Sequence, residues 1–213
     1  MVRLLPPFLA LLLVLLLPLA ACAADTPAPV AGRDYEEIAD GTPYRPLAGK
    51  VEVVEVFAYW CPHCAHFQPS VEAWARKLPA NVRFDYVPAA FQLDDSLARA
   101  FFAAKAAGKL AVTHDATFRA IHEEQTLPRN ATVDEIAAFY GTLGLDPAKM
   151  KAAMTGFSVG GQMTQARDFA LRSGIEGTPT LIINGRYRVT GRTLDDNLRI
   201  ASALIAQLSK PAR

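Results

Sequence analysis

Apolar residues fall in two rhythms along the chain. From Val51 to Phe57, β-branched residues occupy both alternating faces and leave no continuous polar side, which predicts a strand buried on both faces. Glu55 is the anomaly there: on a period of two it shares a face with Val51, Val53 and Phe57, so it is expected to be at least partly buried. Residues 62–78 change to helical spacing, with Cys64, Phe67, Val71, Trp74 and Leu78 on one apolar stripe and His63, His66, Ser70 and Lys77 off it. Pro69 inside this helix removes a backbone hydrogen bond and predicts a kink. Val82 to Val87 alternates Val82, Phe84 and Tyr86 with Arg83 and Asp85, a second strand.

Helical periodicity dominates from Asp94 to about Arg172. Leu97, Phe101 and Phe102 mark one helix and Phe118 and Ile121 another; Thr132 with Glu135 is a capping box for Val133–Thr142, and Asp146 with Pro147 opens a short helix. Ser158 is expected to open a helix that stops at Gly174. Strands return at Thr180–Ile183 and Tyr187–Thr190 around the hairpin dipeptide Asn184-Gly185, and Leu194–Leu208 closes the chain as an amphipathic helix. The order strand, helix, strand, helical block, hairpin, helix gives an α/β sheet domain, 49–92 with 174–213, carrying a helical insertion, 93–173.

Ahead of it lies a leader. Arg3, an apolar run from Phe8 to Leu17, and small residues from Ala20 to Ala24 read as a secretory signal over 1–22, too short for a spanning helix of about 20 residues. Leu19-Ala20-Ala21-Cys22 also resembles the lipobox of bacterial lipoproteins, in which Cys22 is acylated; cleavage near Ala23 or Ala24 is the other reading. Residues 23–48 then form an N-terminal tether. Removing Arg3 changes 22 basic and 21 acidic residues to 21 and 21, and a formally neutral chain gives no field to steer nucleic acid. Export also decides the role of the three cysteines. Only Cys61 and Cys64 remain as a pair in an oxidising compartment, and a single Cys-x-x-Cys there points to chemistry more than to a disulfide framework.

Cys61 falls at the N-terminus of the first helix, where unpaired backbone N–H groups and the positive dipole end favour a thiolate. Cys64, one turn in and on the apolar stripe, is shielded. Cys61 is thus the attackable sulfur and Cys64 the resolving one. A helix end contributes about 0.3 to 1 kcal/mol, at most about 2, and one pKa unit is about 1.4 kcal/mol. The helix end alone therefore gives roughly one unit, and His63 is expected to add a donor or positive charge. A stabilised thiolate stabilises the reduced protein, so the disulfide becomes a stronger oxidant. Gly177-Thr178-Pro179-Thr180 opens a later strand; a cis Thr178-Pro179 bond would leave the Thr178 backbone free to pair with a peptide.

With Cys61-Pro62-His63-Cys64, Glu55 six residues upstream, Phe57 and Trp60 before the motif, Pro69 in the helix and Thr178-Pro179, the chain resembles the DsbA-type periplasmic disulfide oxidoreductases of the thioredoxin fold, from about Asp34 to the C-terminus. The resemblance implies a thioredoxin-like domain with an inserted helical subdomain, no cofactor and no metal. It also implies a Cys61-Cys64 disulfide donated to newly exported proteins with free thiols, and reoxidation by a DsbB-like membrane quinone reductase. Glu55 would be a proton acceptor for Cys64 through water, and Thr178 and Pro179 the cis-proline substrate site. Two departures stand out: Asp85 falls about where the family places a lysine near that glutamate, and Thr178 replaces a valine, a choice seen in disulfide isomerases.

Other readings weigh less. Cys61, Cys64, His63 and His66 are metal-ligand types, but no second pair accompanies them, and Ala65 stands where a c-type haem needs histidine. His114 and His122 are expected on a helix surface or in packing, His66 in solvent, and Trp60 in the wall of the site as a fluorescence reporter. Asn130-Ala131-Thr132 fits a glycosylation sequon, though the threonine is explained as a cap. An isomerase or reductase of the same fold and a non-catalytic periplasmic chaperone are the alternatives. The segment before Val51 is too short for the dimerisation domain of dimeric isomerases, so a monomer is expected.

Overall fold

The structure, a computed structural model, describes residues 28–209. The leader and Cys22 lie outside the described residues. Five strands form one sheet in the order β1 (Tyr35–Glu37), β5 (Tyr187–Val189), β4 (Thr180–Ile183), β2 (Val51–Phe57), β3 (Val82–Pro88). Only β2 and β3 are parallel, joined by the crossover helix α1 (Pro62–Ala75); β4, β5 and β1 add antiparallel strands on the other side. Five helices stand between β3 and β4: α2 (Ser96–Ala106), α3 (Leu110–His122), α4 (Val133–Thr142), α5 (Pro147–Thr155) and α6 (Phe157–Arg172). Helix α7 (Leu194–Leu208) ends the described chain.

Every residue of β2 is buried, as its lack of a polar side requires. Its two faces serve two cores. Val51 and Val53 meet Phe67 and Val71 of α1, Leu181 and Ile183 of β4, and Ile200 and Leu204 of α7. Val54 and Val56 join the larger core filled by α2 to α6. The strand that ends at the Cys-x-x-Cys motif is therefore clamped from both sides. Caps hold the helices that form the insertion: Asp95 accepts from the Leu97 and Ala98 N–H groups, Thr132 and Glu135 make the capping box, and Asp146 caps α5.

The tether expected over 23–48 needs correction, because Tyr35–Glu37 is a strand of the sheet. Glu36 and Glu37 gave no apolar alternation to read. Pairing holds the segment instead, with Tyr35, Glu36 and Glu37 opposite Val189, Arg188 and Tyr187, a Tyr35–Tyr187 edge contact at 5.5 Å and a Glu36–Arg188 ion pair. Two boundaries also differ. Helix α1 stops at Ala75 and finishes in turns through Leu78, and α6 starts at Phe157 after Gly156 with no side-chain cap, one residue ahead of Ser158.

Glu52, a second acidic residue on β2, is fully buried. Its carboxylate accepts from the Tyr44 and Arg45 N–H groups at 2.7 and 3.0 Å and from Arg83 at 2.5 Å, while its own N–H donates to Asn184 Oδ1 at 2.8 Å. The residues after β1 are tied in this way to the β4–β5 turn. Asn184 and Gly185 both have positive φ, 52° and 66°, as a tight hairpin demands. A Cβ on Gly185 would lie 2.0 Å from the Thr42 carbonyl oxygen. Gly185→Ala should therefore lower the unfolding free energy by about 2 kcal/mol or more, read from urea titration, since strain at left-handed φ adds to a backbone clash.

Candidate active site

The sharp end of β2 and the first turn of α1 place the dithiol. Cys61 is the N-cap residue of α1, with Pro62 in the first helical positions, where a missing N–H costs nothing. Cys64 is completely buried, and Cys61 is only 5% exposed. The two sulfurs thus differ less in exposure than in surroundings. Cys61 Sγ donates to the Thr178 carbonyl at 3.2 Å, which brings the loop before β4 against the N-terminus of α1; the Thr178-Pro179 bond is cis.

Electrostatics separates the pair. The Cys61 thiol is lowered to about 5, first by the hydrogen bond from the Cys64 thiol, then by the Thr178 side chain and the backbone N–H groups of Cys64 and His63, against the cost of burial. The Cys64 thiol is pushed far above its ordinary range by burial, by its bond to Cys61 and by the Glu55 charge. Glu55, 1% exposed, is raised to about 8 by burial and then by the Cys61 charge. One thiolate beside one retained thiol, over a carboxyl that holds its proton near neutral pH, is an arrangement for moving a disulfide and a proton together.

The His63 ring is exposed, and the group of this residue that acts on the thiolate is its backbone N–H. His66 is also exposed. His114 lies in the core, its ring 5.1 Å from Phe57 and 4.4 Å from Tyr86, with Nδ1 paired to the Tyr59 hydroxyl at 2.8 Å, and burial lowers it to about 3. The His122 ring donates to the Tyr59 carbonyl at 2.7 Å. Trp60 is 38% exposed and donates from Nε1 to Asp95 at 3.1 Å. It borders a cavity of about 490 Å³ lined also by Phe57, Tyr59, Phe91, Leu97 and Arg129.

The expected place of Asp85 beside Glu55 is corrected by the register. Asp85 pairs with Val54 on the opposite face of the sheet, where it binds Arg45 at 2.5 Å and Arg83 at 3.3 Å and lies 3.5 Å from Lys105. Tyr86 pairs with Glu55 and shares its face. The register between β2 and β3 decides this pairing, and a period-two count within either strand leaves it open; the Tyr86 hydroxyl accepts from Gln68 Nε2, which also donates to Asp115. Among the described residues no three His, Cys, Asp or Glu side chains converge as a metal site would, and no helix is long and apolar enough to cross a membrane.

Comparison with known proteins agrees with this geometry. Residues 46–200 match the family described as thioredoxin. The thiol:disulfide interchange protein DsbA of Pseudomonas aeruginosa is 35% identical over 179 residues, 82% of this chain and 83% of the relative; that of Burkholderia cepacia is 38% identical over 180 residues, 84% of each. The chain belongs to the DsbA family. The crystal structure of the oxidoreductase DsbA from Xylella fastidiosa, 45% identical, superposes with a TM-score of 0.83 over 85% of this chain and 98% of that one. As a DsbA-type protein with a close Cys61–Cys64 pair, the chain is a thiol:disulfide oxidoreductase.

Proposed function

We propose that the protein donates its Cys61-Cys64 disulfide to newly exported proteins with free thiols. The observation that supports this direction is the low Cys61 thiol, at about 5, beside a Cys64 that keeps its proton. A substrate thiolate attacks Cys61 Sγ, the disulfide breaks, and Cys64 leaves as a thiolate that takes the proton held by Glu55. A second substrate thiolate attacks the substrate sulfur of the mixed disulfide and expels Cys61 as a thiolate, a good leaving group at any pH well above 5. Reoxidation by a DsbB-like membrane quinone reductase runs the same steps backward: Cys61 attacks the partner disulfide, Glu55 takes the Cys64 proton, and Cys64 releases the partner.

The Thr178 backbone, facing Cys61 across the cis bond to Pro179, is the proposed pairing edge for the substrate main chain. His63 serves the thiolate through its backbone N–H, and its exposed ring adds positive charge when protonated. A leader over 1–22 puts this chemistry in the periplasm, with Cys22 either removed or acylated as a lipid anchor, and the protein works there as a monomer.

The stability of the two redox forms tests the direction. A thiol lowered from 9 to about 5 stabilises the folded dithiol above its unfolded pKa, and that gain is lost as pH falls through the folded value. At pH 7 it is about 2 kcal/mol once partial solvent screening is allowed for. The reduced protein should unfold at higher urea than the oxidised protein at pH 7, and the gap should close towards pH 4. Equilibration with glutathione should leave the protein largely reduced; a pair that stays oxidised against excess reduced glutathione would point to a reductase. Cys61→Ser should abolish oxidation of a reduced, unfolded substrate, whereas retained action on unfolded chains without cysteine chemistry would favour the chaperone reading.

A further inference from the structure

Glu55 has a buried Oε2 with no hydrogen-bond partner among the described residues, on a strand whose other buried carboxylate, Glu52, accepts three hydrogen bonds. An unserved buried carboxylate costs about 1 to 3 kcal/mol or more, so a donor near it matters. The cross-strand neighbour on its face is Tyr86, and the Tyr86 hydroxyl has one defined contact: Gln68 Nε2 at 3.2 Å. The same Nε2 reaches Asp115 Oδ1 at 2.9 Å. A carboxylate accepts only, so Asp115 fixes which end of the Gln68 carboxamide is the NH₂. Gln68 must then donate to the Tyr86 oxygen as well. The Tyr86 hydrogen cannot point at Gln68 and is free to point elsewhere.

We propose that Tyr86 is the hydrogen-bond donor that serves the Glu55 carboxylate across one water molecule, and that Gln68 and Asp115 are positioning residues that aim its hydroxyl. The inference deepens the proposed proton exchange between Cys64 and Glu55 and rests on that reading. Its chemistry is spread over three elements: β3 supplies the hydroxyl, α1 the carboxamide and α3 the carboxylate. The other titratable groups round this site are Cys61, Cys64 and Glu72 on α1 and His114 on α3, the last held neutral by burial against Tyr86; Leu181 faces Glu55 from β4. A donor to a carboxylate favours its ionised form, so the hydroxyl keeps Glu55 from rising still further and keeps it available to take the Cys64 proton.

The sign of the Asp115 effect separates positioning from simple charge. Deleting a negative charge would by itself lower the Glu55 midpoint, whereas losing the orientation of Tyr86 raises it. The test follows Glu55 in the reduced full chain by carboxyl ¹³C NMR, with the Glu55→Gln spectrum assigning the signal. Tyr86→Phe, which keeps the packed ring, should move the midpoint up by about one unit. Asp115→Asn should move it up by less, and should add nothing in the Tyr86→Phe background. The rate of Cys64 attack on a preformed Cys61 mixed disulfide at pH 7 should fall about tenfold in Tyr86→Phe, as one unit removes nine-tenths of the carboxylate below its midpoint. An unchanged or lowered midpoint in Tyr86→Phe would overturn the proposal; a lowered midpoint in Asp115→Asn would overturn the positioning role. The titration needs neither substrate nor partner, so it fails or succeeds separately from the direction of disulfide transfer, which the glutathione equilibrium reads.

Discussion

Cys64→Ala should raise the Cys61 titration midpoint by one to two units and convert the enzyme into a trap for substrate. The Cys64 thiol is the foremost group stabilising the Cys61 thiolate, and a hydrogen bond to a charged acceptor contributes about 1.5 to 3 kcal/mol, or roughly one to two pKa units. Thiolate absorbance near 240 nm against pH reads the shift directly. The helix end, the Thr178 side chain and the two backbone N–H groups remain, so the midpoint should stay below that of a free thiol. Without the Cys64 sulfur, the mixed disulfide formed at Cys61 can be released only by an outside thiol and should accumulate. His63→Ala, which keeps the backbone N–H, should shift the same titration much less. A larger shift in His63→Ala than in Cys64→Ala would place the control of the thiolate in the imidazole.

The contrast between those two variants marks where the sequence stops being readable. Helical spacing put Cys64 on the buried stripe and Cys61 at the helix end, because both follow from a period of 3.6 and a proline at the start. The same reasoning left the cause of a low Cys61 thiol to His63, since side-chain identity is visible in a sequence and the direction of an S–H bond is not. Glu55 was legible as buried from its period-two neighbours. Its partner was not, because register between β2 and β3 sets it, and an offset of one residue exchanges Tyr86 for Asp85 and one face of the sheet for the other. β1 escaped for a related reason: Tyr35–Glu37 is held by pairing to β5 and by Arg188, and backbone pairing leaves no pattern in side-chain polarity. His114, which could be assigned only to surface or packing, took its place in the core from aromatic neighbours on β2, β3 and α2 that are distant in sequence.

Glu55→Gln should make the reduced protein more stable and the enzyme slower. A carboxyl raised from 4.5 to about 8 in the folded protein binds its proton more tightly there than in the unfolded chain. Folding stability from this group is therefore fully present below about pH 4.5 and is lost as pH rises through about 8. At pH 7 the accumulated cost is about 3 kcal/mol, and above pH 9 about 5 kcal/mol, from about 1.4 kcal/mol per unit. Glutamine cannot ionise, so the difference in unfolding free energy between Glu55→Gln and the parent, both reduced, should grow from pH 5 to pH 9. Cys61 is common to both proteins, and its own opposite pH dependence cancels in the difference. Parallel stability curves over that range would show that Glu55 ionises freely, with no burial cost. The same substitution removes the group proposed to exchange a proton with Cys64, and loss of a positioned acid–base group costs about 10² or more in rate. Resolution of a preformed Cys61 mixed disulfide at pH 7 should slow by about that factor, while the Cys61 thiolate midpoint should stay in place, because Glu55 still holds its proton at the pH where Cys61 titrates. Stability gained and rate lost at one position is the pattern expected of a buried carboxyl kept for proton transfer, and a packing role alone would move both in the same direction.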